Sequence, residues 1–431
     1  MKSHRRGLKR LLPRFTRSKL ESQLDNSIKL SVVTQFFPPD FAATGQLIEE
    51  LVRHLGTYGV NVHVFTGQPG YAFQTNEAPG IEKFDGVVVK RSRTSQLWPK
   101  RVRGKAMNGV LFMIRAALHL LRHRRRRNLL LVTTAPPFLP FLGYLANVCT
   151  GLPYICLLYD LYPDIAIALG VIPQNHWLAK IWQHLNIGVW RKAKEIVVLS
   201  PSMKERIVNI CPEVEEKIHV IHSWANSEAI VPIAKQENWF ALKHNLIDKF
   251  TVLYSGNMGR CHDMETIIAA AKELKNEPIQ FVFIGGGAKR KEVMQEADRF
   301  GLTNFIFLPY QDKQVLPYSL TACDLSLVSV DAAMESLVAP SKLYPALATG
   351  RPVAVICSKD SYLRQLITHA RCGASFKNGD GHGLAEFIRV LNSDRQFGER
   401  MGKEGREYLQ TYFTSEVISK EYLKVLRQDI V

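Results

Sequence analysis

The sequence has no Asp-x-Asp pair, no CxxC and no Cys/His run at metal-ligand spacing. The usual carboxylate clamp for a divalent cation is therefore missing, as is a thiolate framework for zinc or redox chemistry. The seven cysteines (149, 156, 211, 261, 323, 357 and 372) are scattered and odd in number, which suits a reduced cytoplasmic setting rather than a disulfide scaffold. The N-terminus lacks the apolar core of a signal peptide. No tandem repeat is present, and no low-complexity tail beyond a basic start. Acid is missing altogether from two stretches, residues 1–20 and 99–127.

Those two stretches carry the charge of the chain. The first holds eight Lys and Arg, the second ten, from Lys100 to Arg127. Together they exceed the formal net charge of +17, so the remaining residues are close to neutral. An anionic membrane surface and nucleic acid are the partners such charge suggests. Between the basic ends of the second stretch lies MNGVLFMIRAALHLL, with apolar residues at helical spacing. A cationic amphipathic helix of this kind suits a bilayer interface, where each basic residue gains about 1 kcal/mol near anionic lipid. No nucleic-acid motif accompanies it, so a nucleic-acid partner is not expected. The plainer alternative is a solvated basic loop beside a core-packing helix.

Charge of either sign is also missing from Asn128 to Tyr159. The run is long enough for a membrane-spanning helix. Pro136, Pro137, Pro140 and Pro153 interrupt it, however, and its ends, LLLVTT and YICLLY, read as short buried strands. Strand–helix–strand inside a core is the expectation.

At 431 residues the chain accommodates two α/β domains of about 200 residues each. The first half reads as strands (Ile28–Thr34, VNVHVFTG, GVVVKRS, LLLVTT, YICLLYD, EIVVLS, IHVIHSW) alternating with helices. Residues 224–249 are more polar and form the crossover. A second series follows: TVLYSG, FVFIGG, FIFLPY, DLSLVSV and RPVAVICS, again with helices between, and two helices over 395–428. Such alternation means parallel sheets covered on both faces. Ligands in such folds bind beyond the C-terminal strand ends. The loops Gln35–Gly45, Asp160–Asp164, Ser255–Arg260, Gly285–Gly287 and Glu335–Lys342 all leave strands in that direction.

The most informative stretch is TVLYSGNMGRCHDMET, Thr251 to Thr266. It reads as a buried strand, a turn punctuated by Gly256, Asn257 and Gly259, and a helix start. Glycine lets backbone approach a ligand closely, and a helix N-terminus aimed at the turn suits a phosphate. Arg260 adds a fork-shaped donor. A second turn, Gly285-Gly286-Gly287, precedes Lys289 and Arg290. Two such turns in one half point to a nucleotide diphosphate pocket; either by itself also serves as a plain connector. In the first half, Gly45 opens a helix after a loop with Pro38 and Pro39, either to admit a phosphate or acceptor or to make a tight turn. Asp160 and Asp164 end an apolar strand. A carboxylate there either accepts an acceptor hydroxyl proton or orients the acceptor, or else caps a helix. The histidines, His222 and His262 among them, read as structural and are assigned as ligands to nothing.

The pieces FFPPDFAATGQLIEEL, LLYDLYPDIAIALG, HSWANSE, YSGNMGRCHDMETIIAAA, FIGGGAKR and ESLVAPSKLYPALATGRPVAV, in this order and spacing, resemble a GT-B glycosyltransferase of family 4, of the colanic-acid and O-antigen type. The resemblance runs from about Ile28 to Phe413. It implies an α/β fold of two Rossmann-like domains facing across a cleft, with a C-terminal helix crossing back. The division expected is a basic tail over 1–27, an acceptor domain over 28–225, a nucleotide-sugar domain over 226–408, and the returning helix over 409–431. It also implies a retaining reaction. A nucleotide-sugar donor would give its sugar to a glycan or lipid-linked acceptor for cell-surface polysaccharide, on the inner face of the membrane. Two departures stand out. Of the two glutamates that family members often carry eight positions apart, the second falls on Pro345 and the first on Leu337. Glu335 is the nearest carboxylate and is assigned to the donor sugar or ribose. Ser223 stands where an asparagine is usual. The run Pro340-Ser341-Lys342 is intact.

Glycosyl transfer places developing charge on the departing nucleotide diphosphate, which a metal or fixed cations and helix N-termini can stabilise. With no metal clamp, Arg260 and Lys342 with the amides of Gly256–Gly259 are the expected stabilisers, and no cofactor is expected beyond the donor. The bland reading of Lys342 is an exposed lysine at a helix start. Two rivals remain: a nucleotide-sugar 2-epimerase of the same fold, for which no cluster of acid/base carboxylates is found, and an inactive membrane-surface binding protein, to which Pro345 lends weight.

Overall fold

The computed structural model describes residues 28–40, 42–69, 78–92, 102–122 and 129–428. The basic tail 1–27 and the run Arg124–Arg127 lie outside the described residues. Two sheets follow one another along the chain. The first contains β1 (Lys29–Val33), β2 (Asn61–Thr66), β3 (Ile81–Phe84), β4 (Val87–Arg91), β5 (Leu129–Thr133), β6 (Tyr154–Leu158), β7 (Glu195–Val198) and β8 (Ile218–Val220). Their order across the sheet is β3-β4-β2-β1-β5-β6-β7-β8, and only the β3–β4 pair is antiparallel. The second contains β9 (Phe250–Ser255), β10 (Ile279–Ile284), β11 (Phe305–Leu308), β12 (Leu325–Ser329), β13 (Val353–Ile356) and β14 (Gly373–Phe376), in the order β11-β10-β9-β12-β13-β14, all parallel.

Central strands such as LLLVT, YICLL and IQFVFI are buried along their whole length. That is why they read as unbroken apolar runs rather than alternating ones: helices cover both faces of each sheet. The uncharged stretch resolves into β5, the helix Leu139–Thr150 and β6. Among the described residues no helix is long and apolar enough to cross a membrane.

Two strands escape the sequence reading. β3, IEKF, carries charge and alternates exposed with half-buried positions, as an edge strand does. Its signal was the Asp85-Gly86 turn, both residues at positive φ, which closes a two-residue hairpin to β4. β14, GASF, is too small and weakly apolar to stand out.

The chain ends by crossing back. The helix Arg395–Tyr412 packs on the second domain, breaks at Phe413, and Thr414 caps the helix Ser415–Arg427. That last helix lies on the helix Ala43–Thr57 of the first domain. Ser415 Oγ is 3.0 Å from His54 Nε2, and Lys194 Nζ donates to the carbonyl of Gln428 at 2.6 Å. Buried Tyr422 meets Trp224 edge-on, and Trp224 Nε1 donates to Glu50 at 2.8 Å. The domains also touch at the strand ends. Asp160 forms an isolated antiparallel bridge with Val338, and Leu161 N–H donates to the Leu337 carbonyl at 3.1 Å.

Candidate active site

The two glycine turns of the second domain nest in each other. Gly256 N–H donates to Ile284 O (2.8 Å), Met258 N–H to Gly286 O (2.6 Å) and Lys289 N–H to Met258 O (2.9 Å). Gly256 has φ +128°, and a Cβ there would stand 2.8 Å from Lys342 Cε. Gly285 shares that φ, and its Cβ would run into the carbonyl oxygen of Gly256. Such backbone is open to glycine and strained for anything else. Gly286 lies against the Tyr310 ring, and Gly287 against the Met258 carbonyl. The sequence reading gave these glycines to a ligand. The structure shows them first admitting one another's backbone and the stem of Lys342.

The helix ends also divide differently from expectation. The helix after the first turn starts only at Glu265, and Asp263 closes it, accepting from Thr266 N–H at 2.9 Å. Asn378 Nδ2 donates to the other oxygen of Asp263 at 2.8 Å. That positive end is therefore already answered by a carboxylate. The helix Arg290–Arg299, after the second turn, has no side-chain cap. Its first turn faces a cavity of about 440 Å³. Leu169 of the first domain and Arg260, Lys289, Glu292, Asp331 and Met334 of the second line it, so the cavity lies between the domains.

Lys342 is half-buried rather than an exposed helix lysine. Its ammonium donates to His262 Nε2 at 2.9 Å and sits 5.5 Å from the Tyr254 ring centroid. His262 is buried, and its Nδ1 is 2.7 Å from the carbonyl oxygen of Ser329. A carbonyl only accepts, so Nδ1 carries the hydrogen and Nε2 keeps its lone pair for Lys342. Burial, then the neighbouring Lys342 charge, hold the imidazole pKa down to about 3. Burial also lowers Lys342 to about 8. The lysine is thus fixed by a neutral partner, which leaves its positive charge uncancelled. His262 is the residue that sequence reasoning missed. Nothing in its spacing marks it, because its partners lie 67 and 80 positions away. Arg260 is exposed at the cavity and has no hydrogen-bond or ion-pair partner among the described residues.

On the first domain, the Asp160 carboxyl has no hydrogen-bond or ion-pair partner among the described residues either, and burial pushes its pKa up to about 6. The Cys261 thiol lies within reach of both walls: burial raises it, Lys342 lowers it and Asp160 raises it further. The structure thus brings Asp160, Cys261, His262 and Lys342 together. Asp164 goes elsewhere, paired with Arg206, whose Nε donates to it at 3.2 Å. Glu335 is half-buried. Its carboxylate accepts from the Ser361 hydroxyl and, at 3.5 Å, from Ser358 N–H, and burial raises its pKa. Its backbone carbonyl takes the Ser202 hydroxyl of the first domain at 3.3 Å. Gly45 is the third residue of its helix, not its opening, and a Cβ there would stand 3.0 Å from the Phe36 and Phe37 backbone. Ser341 precedes Lys342 at the start of the six-residue helix Leu343–Ala348, within which Pro345 falls. Asn257 and Gly259 form the rim of the first turn, the Asn257 amide 3.1 Å from where a Gly259 Cβ would be.

Comparison with known proteins identifies the family and the fold. Residues 44–228 match the model of Glycosyltransferase Family 4, and residues 236–408 that of Glycosyl transferases group 1. The chain is 26% identical over 267 residues to the probable glycosyltransferase WbjE of Pseudomonas aeruginosa, covering 61% of this chain and 66% of that protein. It is 23% identical over 355 residues to the putative colanic acid biosynthesis glycosyl transferase WcaI of Escherichia coli, covering 79% and 86%. Among solved structures, sucrose-phosphate synthase from Thermosynechococcus elongatus superposes with a TM-score of 0.72 at 17% identity, over 93% of this chain and 98% of that one. Anabaena HepE in complex with UDP and glucose does so at 0.70 and 14% identity, over 93% and 99%. The family models together take in most of the chain, one on each domain, and the architecture is that of the neighbours: the chain belongs to family 4 of the glycosyltransferases and has the GT-B fold.

Proposed function

We propose that the protein transfers a sugar, with retention of configuration, from a nucleotide-sugar donor to a lipid-linked glycan acceptor during cell-surface polysaccharide synthesis, at the inner face of the membrane. The polysaccharide setting is supported by the relatives, named for colanic acid and lipopolysaccharide core biosynthesis. The donor class is supported by HepE, solved with UDP and glucose.

The observation that carries the reading is the Lys342 ammonium held beside Gly256 by a neutral imidazole at 2.9 Å. Arg260, unpaired at the cavity between the domains, is the second cation assigned to the donor diphosphate. As the bond from the sugar C1 to the diphosphate oxygen breaks, negative charge grows on that oxygen, and fixed cations stabilise it there more than in the ground state. The acceptor hydroxyl oxygen attacks C1 from the face the diphosphate leaves, and its proton passes to the departing phosphate oxygen. Asp160 holds the acceptor hydroxyl on the opposite wall. The charge stabilisation is assigned to these cations and the first turn of the helix Arg290–Arg299, without a metal. Glu335, tied to Ser361, shapes the donor-sugar end through its loop.

Release of nucleotide from a panel of UDP, GDP and ADP sugars, with lipid-linked acceptor and after chelator treatment, tests this. Acceptor-dependent release that survives chelation and disappears in Lys342→Ala supports the reading. Release that needs manganese or magnesium, or that ignores Lys342, overturns it.

A further inference from the structure

Three aromatic rings lead away from Asp160. Tyr162, two residues beyond it, stacks on Trp182 at 5.6 Å and 9°, and Trp182 stacks on Phe138 at 3.9 Å and 21°. Each ring comes from a different segment. Tyr162 belongs to the loop after β6, Trp182 to the helix Trp177–Lys192, and Phe138 to the loop after β5. Asn186 Nδ2 donates to the Tyr162 carbonyl at 2.5 Å and ties the helix of the middle ring to the cleft loop. The rings are not core. Phe138 is 48% exposed, and Trp182 and Tyr162 are half-buried. Stacked rings left partly open beside a cleft offer a ligand a rigid apolar surface.

The polar groups at the inner end say what that ligand is. The Tyr162 hydroxyl has no hydrogen-bond partner among the described residues, and neither has the Asp160 carboxyl. The two are neighbours: burial, then the Asp160 charge, then Cys261 raise the Tyr162 phenol to about 12. The phenol therefore keeps its proton at neutral pH and donates, while an ionised Asp160 accepts. A hydroxyl answers both at once. A sugar adds to its hydroxyls a face of C–H bonds, whose partial positive charge suits the negative face of an aromatic ring. A hydrocarbon chain would suit the rings and leave both polar groups unanswered. The sugar whose hydroxyl meets Asp160 lies by Tyr162. Phe138, on from Trp182, is left for the next sugar unit.

We propose that Tyr162, Trp182 and Phe138 form a track for an acceptor glycan of at least two sugar units, with the reacting unit at Asp160 and Tyr162 and the preceding unit against Phe138. The enzyme then elongates a glycan already begun, and a reaction that attaches the first sugar must precede it. The elongation clause rests on the function proposed above; the glycan binding does not.

The experiment is saturation-transfer NMR on the full chain, with free mono-, di- and trisaccharides of glucose, galactose, mannose and rhamnose as probes. The favoured di- or trisaccharide binds the wild type about tenfold tighter than its monosaccharide, and saturation of the aromatic protons reaches C–H groups of two units. Phe138→Ala removes most of that gain, whereas Phe138→Tyr, which restores a ring, keeps it. Phe138 is exposed, so both variants hold the wild-type Tm within a few degrees, which checks their folding. Binding of no sugar, equal affinity for one and two units, or a gain untouched by Phe138→Ala overturns the proposal. So does farnesyl phosphate binding that Phe138→Ala weakens while sugar binding stays, which assigns the rings to a lipid chain. Ring-dependent glycan binding in a protein that releases no nucleotide from any donor would sink the transferase reading and leave the track standing. Acceptor-dependent release with wild-type kcat/KM in Phe138→Ala would do the reverse.

Discussion

The two walls of the cleft treat their charged groups alike and arm them oppositely. On the second domain, Lys342 is desolvated to a pKa of about 8 and bonded to a neutral ring, and Arg260 stands unpaired at the cavity between the domains. On the first, Asp160 is desolvated to about 6 and has no counter-cation among the described residues. Elsewhere in the protein buried charges are matched at once: Lys235 lies 2.6 Å from Asp324, and Arg91 lies 2.9 Å from Glu82. Leaving a charge desolvated and unmatched is unfavourable unless another state supplies the partner. Under the proposed function the missing partners arrive with the substrates: an anion for the second wall, a hydroxyl for the first.

Removing the cation attacks this contrast at its strongest point. Lys342→Ala should lower kcat by about 10²–10³, the range for a lost transition-state charge donor, in steady-state nucleotide release. A smaller loss, below tenfold, would move the burden to Arg260. Next comes the acid on the other wall. Asp160→Asn should lower kcat/KM by about 10² and abolish the acid limb of its pH profile. That limb follows from sign: the carboxylate is present above a pKa of about 6 and is lost as pH falls through it. A variant with the limb intact would assign it to another group.

His262 sharpens the comparison from within the second wall. A neutral acceptor on Nε2 favours the charged form of Lys342. Wild-type kcat/KM should fall as pH rises through about 8, where the ammonium deprotonates. His262→Asn keeps a donor for Ser329 but loses the acceptor; it should cost about tenfold and move this alkaline limb to lower pH. His262→Gln, which can restore an acceptor near the Nε2 position, should recover part of both. An unmoved limb in both variants would show that His262 only packs. The smallest effect is expected at Asp164. Asp164→Asn should leave turnover within about twofold and cost about 1 kcal/mol of stability in urea unfolding, since its partner Arg206 is largely solvated.

Much of the cleft was legible beforehand because it is local. The glycine turns and Arg260 follow their strands by a few residues, and the Pro340-Ser341-Lys342 run belongs to the longer loop after β12, so a strand-end argument reaches them. What failed was judging the use of each feature from its neighbours in sequence. A helix start after Gly259 invited a phosphate, yet Asp263 had already closed it with help from Asn378, more than a hundred positions away. Glu335 is assigned to the donor by its place in the chain, whereas the partner that holds it, Ser361, belongs to the loop after another strand. The helix Val102–Arg122 reads from sequence as either interfacial or core-packing, because periodicity locates apolar faces without saying which of them is covered.

By itself the sequence determined the alternation of buried strands and helices, hence two parallel sheets, and the uneven charge that sets residues 99–127 apart. These depend on composition and short-range spacing, which survive without a fold. Only the tertiary structure decided that Lys342 keeps its charge beside a neutral His262 and that Asp160 is left without a partner among the described residues. The reason is that desolvation and pairing are properties of a place in space, and each of these places is built by segments that the chain brings together from far apart.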